Sequence, residues 1–123
     1  MVDKQKQLDV ILKHNPSYNE TSTWIRTCED IKTFAETLND AGYLDYNDFA
    51  PDYTRKDAEK ALSRNSITVY SSYPIRNGAF VTPSEMEAKS YSASGYVYSR
   101  TVPLDSIAWI DVMEGQYADI TDI

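Results

Sequence analysis

This chain is poor in the residues from which many protein sites are built. Its 123 residues include one cysteine, Cys28, and one histidine, His14. A lone cysteine excludes an intrachain disulfide and suits a reducing compartment. With no second histidine and no cysteine pair, a zinc site has no ligand set, so His14 reads as a surface residue at a helix end. Cys28 sits near a predicted helix start, where the dipole favours a thiolate. Glu29 and Asp30 oppose that effect, so it reads as a small, partly buried residue. Glycine-rich phosphate loops and nucleophile elbows are missing too. No apolar run reaches the length of a membrane span, and Met1-Val-Asp-Lys-Gln-Lys lacks the pattern of a secretory leader. The expectation is a cytoplasmic protein with no membrane partner.

The remaining composition is that of an ordinary folded domain, with 41% hydrophobic and 25% charged residues. A chain of this size buries roughly two thirds of its unfolded surface, enough for one core, so residues 1–123 are expected to form a single domain. Charge of one sign dominates, at −7 net. From Glu29 to Asp52 seven acids face Lys32 alone, a local −6, and five acids with no base follow from Asp105. Such a chain repels nucleic-acid phosphates, which argues against direct DNA or RNA binding and for a basic protein surface as partner.

Periodicity divides the chain in two. Leu8, Ile11 and Leu12 predict a helix over 5–13 that ends at Asn15-Pro16, and Trp24 is the apolar plug of the polar stretch after it. Thr27-Cys-Glu-Asp30 has the form of a capping box, with Ile31, Phe34, Ala35 and Leu38 as one apolar stripe behind it. Thr54-Arg-Lys-Asp57 and Thr82-Pro-Ser-Glu85 repeat the capping pattern, the latter with Pro83 at the first helical position. Strand patterns appear at 67–73, 79–82, 96–102 and 107–112, and should bury Val69, Phe80, Val97, Val102, Ile107 and Trp109. The expected fold is α+β: a helical part, 1–65, packed on a small, mostly antiparallel sheet from 66–123.

One segment concentrates both charge and rings. In "YLDYNDFAPDY", residues 43–53, tyrosines and Phe49 alternate with aspartates. A calcium loop would need a central glycine and a terminal glutamate, and neither is present, so no metal is expected. Asp40, Tyr43, Asp45, Tyr46, Asp48 and Asp52 are therefore the candidate partner-binding residues, with Phe49 and Tyr53 as further aromatic anchors. The competing reading is that the rings only pin a long loop to the domain.

The stretch "ITVYSSYPIRNGAFVTPSEMEAKSYSASGYVYSRTVPLDSIAWIDVMEGQYADI" resembles an uncharacterised domain of phages and conjugative elements of gut Firmicutes, as do the upstream "TWIRTCEDIKTFAETL" and "PDYTRKDAEKAL". The strand–TPS–helix–strand unit of that family is in turn similar to ADP-ribosyltransferase-like domains associated with phage head proteins. Such enzymes use a strand arginine for the phosphates of NAD, a Ser/Thr-rich strand for the nicotinamide pocket and a late glutamate for the developing oxocarbenium. The resemblance would put Thr82 and Ser84 in the second role and Glu114 in the third. The first departs from the pattern, since Tyr70-Ser71-Ser72 stands where the arginine belongs, and no neutral side chain chelates phosphate as a guanidinium does. Arg76 is the nearest substitute. The resemblance thus implies a skeleton without its catalysis. The expected function is a phage- or mobile-element-encoded, non-enzymatic acidic protein that needs no cofactor. Its most concrete form is an anti-CRISPR-type inhibitor in the bacterial cytoplasm, docked on a basic surface of a host or defence nucleoprotein. The alternatives are an NAD-using enzyme with Arg76, Thr82, Ser84 and Glu114 at its site, or a phage head accessory.

Overall fold

The computed structural model describes residues 31–40, 48–119 and 121. The predicted helix over 5–13, His14, Trp24, Cys28, Tyr43, Asp45 and Tyr46 lie outside them. Helices α1 (Phe34–Asp40), α2 (Arg55–Arg64) and α3 (Glu85–Ser90) alternate with strands β1 (Asp48–Ala50), β2 (Tyr53–Thr54), β3 (Ser66–Ser71), β4 (Phe80–Val81), β5 (Tyr98–Pro103), β6 (Ile107–Asp111) and β7 (Glu114–Tyr117). The class is α+β, with helix early and strands in the C-terminal half.

All strand pairs are antiparallel. β3 pairs with β5 over six residues, and β7 lies between β4 and β6. β1 and β2 form a separate pair, and a bridge joins the other two sheets: Tyr70 N–H donates to Thr82 O (2.8 Å), and Thr82 N–H returns to Tyr70 O (3.0 Å). The core fills the angle beneath them. Trp109 is fully buried beside Phe34, with ring centroids 4.7 Å apart, and its indole N–H donates to Leu104 O at 3.2 Å. Leu38, Ala58, Val69, Val81, Val102, Ile107 and Tyr117 close around this pair. Of the six residues expected inside, Val69, Val102, Ile107 and Trp109 are buried, while Phe80 and Val97 are only half-buried.

Two helix starts differ from their sequence patterns. Ile31 and Lys32 are not helical, because Lys32 pairs with Trp109 as an extra rung on the edge of β6. The Thr27-Cys-Glu-Asp30 pattern lies outside the described residues, and α1 starts from Thr33-Phe-Ala-Glu36, where Thr33 Oγ1 accepts from Glu36 N (3.2 Å) and Glu36 Oε1 accepts from Thr33 N (3.4 Å). α3 starts at Glu85 with Ser84 as N-cap, because Thr82 is held in the bridge to β3. Thr54 caps α2 as its pattern predicts, in a complete box with Asp57. That helix ends on Asn65 in the left-handed region (φ 55°), and the chain turns directly into β3. The rings of Phe49 and Tyr53 turn towards the core, 5.8 Å apart, with Tyr53 only 3% exposed. They pin the segment down and do not stand out as anchors.

Candidate functional site

Five segments meet around an open cleft of about 790 Å³. The end of β3 supplies Tyr70, Ser71 and Ser72, and Tyr73 follows where the strand breaks off. Ser71 Oγ accepts from Tyr73 N at 3.1 Å, a serine turn that bends the chain outward and leaves Tyr73 69% exposed. A tight turn then carries Arg76. Ala79 N donates to Arg76 O (2.9 Å), with Gly78 at φ 98°, a conformation that favours glycine. Asn77 is buried beneath this turn and exchanges two hydrogen bonds with the backbone of Asp119. The floor is β4 with Phe80 and Val81, continuing to Thr82.

The opposite wall is acidic. α3 places Glu87 and Tyr91 one turn apart, and the Tyr91 hydroxyl donates to Glu87 Oε1 at 3.1 Å. The β6–β7 hairpin adds Asp111, Met113 and Glu114, its tip closed by Met113 N donating to Asp111 Oδ1 at 2.7 Å. Partial burial raises the Glu114 carboxyl above its usual range, and the charges of Asp111 and Glu87 add to that. The hydrogen bond to Glu87 raises the Tyr91 phenol, with the Glu87 and Glu114 charges contributing. Glu114 therefore lies within the field of both neighbouring carboxylates. Among the described residues no group of three His, Cys, Asp or Glu side chains is placed to hold a metal ion.

The structure therefore brings Arg76, Thr82 and Glu114 to one cleft. Thr82 is 7% exposed, and its hydroxyl accepts from Ser84 N at 3.2 Å. Ser84 does not line the cleft. It is fully buried, accepting from Glu87 N (3.0 Å) and donating to Asp52 Oδ1 (2.6 Å). Asp52 stays exposed at the surface, yet both of its oxygens are engaged, since Oδ2 accepts from Met86 N at 2.9 Å. Burial works to raise its pKa, but the hydrogen bonds from Ser84 and Met86 prevail and lower it. Asp52 is a long-range cap for α3. Asp40 is ion-paired with Lys32, and Asp48 is exposed on β1.

Glu87, Tyr91 and Asp111 were not singled out from the sequence. A usable signal existed for the first two, because their i, i+4 spacing sets them side by side on any helix that starts near residue 85. Asp111 meets them only through the hairpin. No family model, curated protein or solved structure matches this chain.

Proposed function

We propose that the protein is a non-enzymatic interaction protein whose cleft receives a basic side chain of its partner. One observation carries this reading. Glu87, Asp111 and Glu114 face a recess that also presents the rings of Tyr70, Tyr73 and Tyr91, against the single cation Arg76. Carboxylates with aromatic faces suit a guanidinium or ammonium group, which gains from the negative field and from cation–π contact at once. An acidic surface around the recess steers a basic partner in, so the effect falls with added salt.

The resemblance to phage and mobile-element domains supports a partner in the bacterial cytoplasm, a host or defence nucleoprotein being the concrete case. No helix among the described residues is long and apolar enough to cross a membrane. The acidic segment around Asp48 would widen the docking face, with the cleft as its anchor. Binding of an oligo-arginine peptide to E87Q/D111N/E114Q protein tests the reading. About ten-fold or greater weakening is expected at low salt, against a small change for Asp45→Lys/Asp48→Lys. Equal affinity of the neutralised and original proteins would remove the cleft from the interface.

The convergence of Arg76, Thr82 and Glu114 favours a second reading, an NAD-using enzyme related to ADP-ribosyltransferases. Two features weigh against it: Ser71 occupies the strand position of the phosphate-binding arginine, and the Ser84 hydroxyl is committed to the helix cap. Incubation with NAD should release no nicotinamide. Turnover abolished by Glu114→Gln would establish the enzyme instead.

A further inference from the structure

On the other side of Tyr70 lies a second, smaller pocket of about 270 Å³, between α2 and the outer face of β3 and β5. Its charges are sorted along its length. Asp57 lies in the first turn of α2 and Arg64 in the last, about 10 Å apart by helical rise. Asp52 and Asp57 hold the end near Tyr70 and Pro83, and both are occupied by capping bonds: Asp52 with Ser84 and Met86, Asp57 with Thr54. Lys60 and Arg64 hold the end near Ser66 and Thr68.

That cationic end has features the fold does not use. Lys60 and Arg64 are one turn apart on the same helix face, where like charges repel. Arg64 suits the negative end of the helix, but Lys60 gains little there. Among the described residues neither forms an ion pair, although the chain carries 19 acids. Facing them, Thr68 Oγ1 and Thr101 Oγ1 lie 2.7 Å apart. One hydroxyl donates to the other, so one O–H is left to donate outward. A spare hydroxyl donor beside two cations without an ion pair suits an anion at that end.

We infer that this pocket binds a phosphate-sized oxyanion, held by Lys60 and Arg64 over the Thr68–Thr101 pair. The site is separate from the acidic cleft and stands whether or not the cleft takes a basic side chain. The anion is either free inorganic phosphate or a phosphoryl group on a small carrier, and both present the same oxygens.

The test is an amide NMR titration of the full chain with inorganic phosphate and, separately, with phosphoserine, against potassium chloride at matched ionic strength. Saturable shifts are expected around residues 60–68 and at Thr101. They should weaken about ten-fold or more in K60Q/R64Q protein, whose exposed substitutions leave the fold intact. Tighter binding of phosphoserine would assign the site to a carried phosphoryl group, and equal or weaker binding to free phosphate. If neither probe saturates, if chloride reproduces the shifts, or if the double variant binds as before, the inference is overturned. None of these results bears on arginine binding in the cleft.

Discussion

The β6–β7 hairpin belongs to two environments, and the contrast separates what holds this protein together from what it presents. At its base, Ile107, Trp109 and Tyr117 are within 1% of complete burial. At its tip, Asp111 is exposed and Glu114 half-buried, one carboxylate crowding another. At the base the rings are packed, and the Trp109 indole has an acceptor. The tip is crowded with one sign of charge: Asp111 closes the turn and Glu87 holds Tyr91, but burial and those two charges work against ionisation of Glu114. The proposed basic side chain would relieve that crowding.

The largest predicted effect lies at the base. Trp109→Ala removes the centre of the core and the contact with Phe34, and should cost about 3–5 kcal/mol in chemical denaturation. Gly115→Ala comes next. A Cβ there would lie 2.5 Å from Ile107 Cγ2 and 3.0 Å from Ala108 O, so β7 would have to shift, at about 1–3 kcal/mol. If either variant were as stable as the original protein, the hairpin base would not be the core.

Asp52→Ala should cost about 1 kcal/mol, as loss of a helix cap does, and should loosen α3 with its cleft residues Glu87 and Tyr91. Its pH dependence has a fixed sign. A carboxylate with a folded pKa below the usual 3.8 adds stability that is present above that value and lost as pH falls through the lowered one. The acid limb of the stability curve should therefore flatten in Asp52→Ala protein. An unchanged acid limb would mean that Asp52 does not cap the helix.

The smallest effect has the opposite sign. The Glu114 carboxyl is raised above 4.5, so the folded state holds its proton more tightly than the unfolded chain does. Stability falls as pH rises through that window, and the ionised group is a burden at neutral pH. Glu114→Gln should raise the thermal midpoint slightly at pH 7, with a gain that fades as pH falls below the carboxylate range. A loss of stability at pH 7 would put Glu114 with the base of the hairpin.

The same contrast explains how much the sequence discloses. The α+β class, the box at Thr54 and strands β3, β5 and β6 are legible because they rest on local spacing. The start of α1 is not, because Thr27-Cys-Glu-Asp30 and Thr33-Phe-Ala-Glu36 carry nearly the same pattern. The pairing of Lys32 with Trp109 keeps Ile31 and Lys32 out of the helix, and no local pattern encodes it. β7 hides in Glu-Gly-Gln-Tyr, whose polar and glycine residues fit no strand template. It is central because Gly115 lets it approach Ile107 closely and Gln116, fully buried, donates to Gly78 O at 2.7 Å. Asp52 reads as one more surface acid until its bonds to Ser84 and Met86, 32 and 34 positions on, are seen. Of the cleft, Arg76, Thr82 and Glu114 came from the resemblance. The acidic wall depends on a tertiary meeting of α3 with the hairpin, which no local pattern encodes.

The central claim is that the cleft recognises positive charge on a side chain. The most direct measurement is an amide NMR titration with a short arginine-containing peptide and with the same peptide carrying citrulline, which keeps the shape and removes the charge. Saturable shifts at Tyr70–Tyr73, Ala88, Tyr91 and Met113 are predicted for arginine, with affinity for citrulline lower by about ten-fold or more. Equal affinities, or shifts confined to residues away from the cleft, would contradict it.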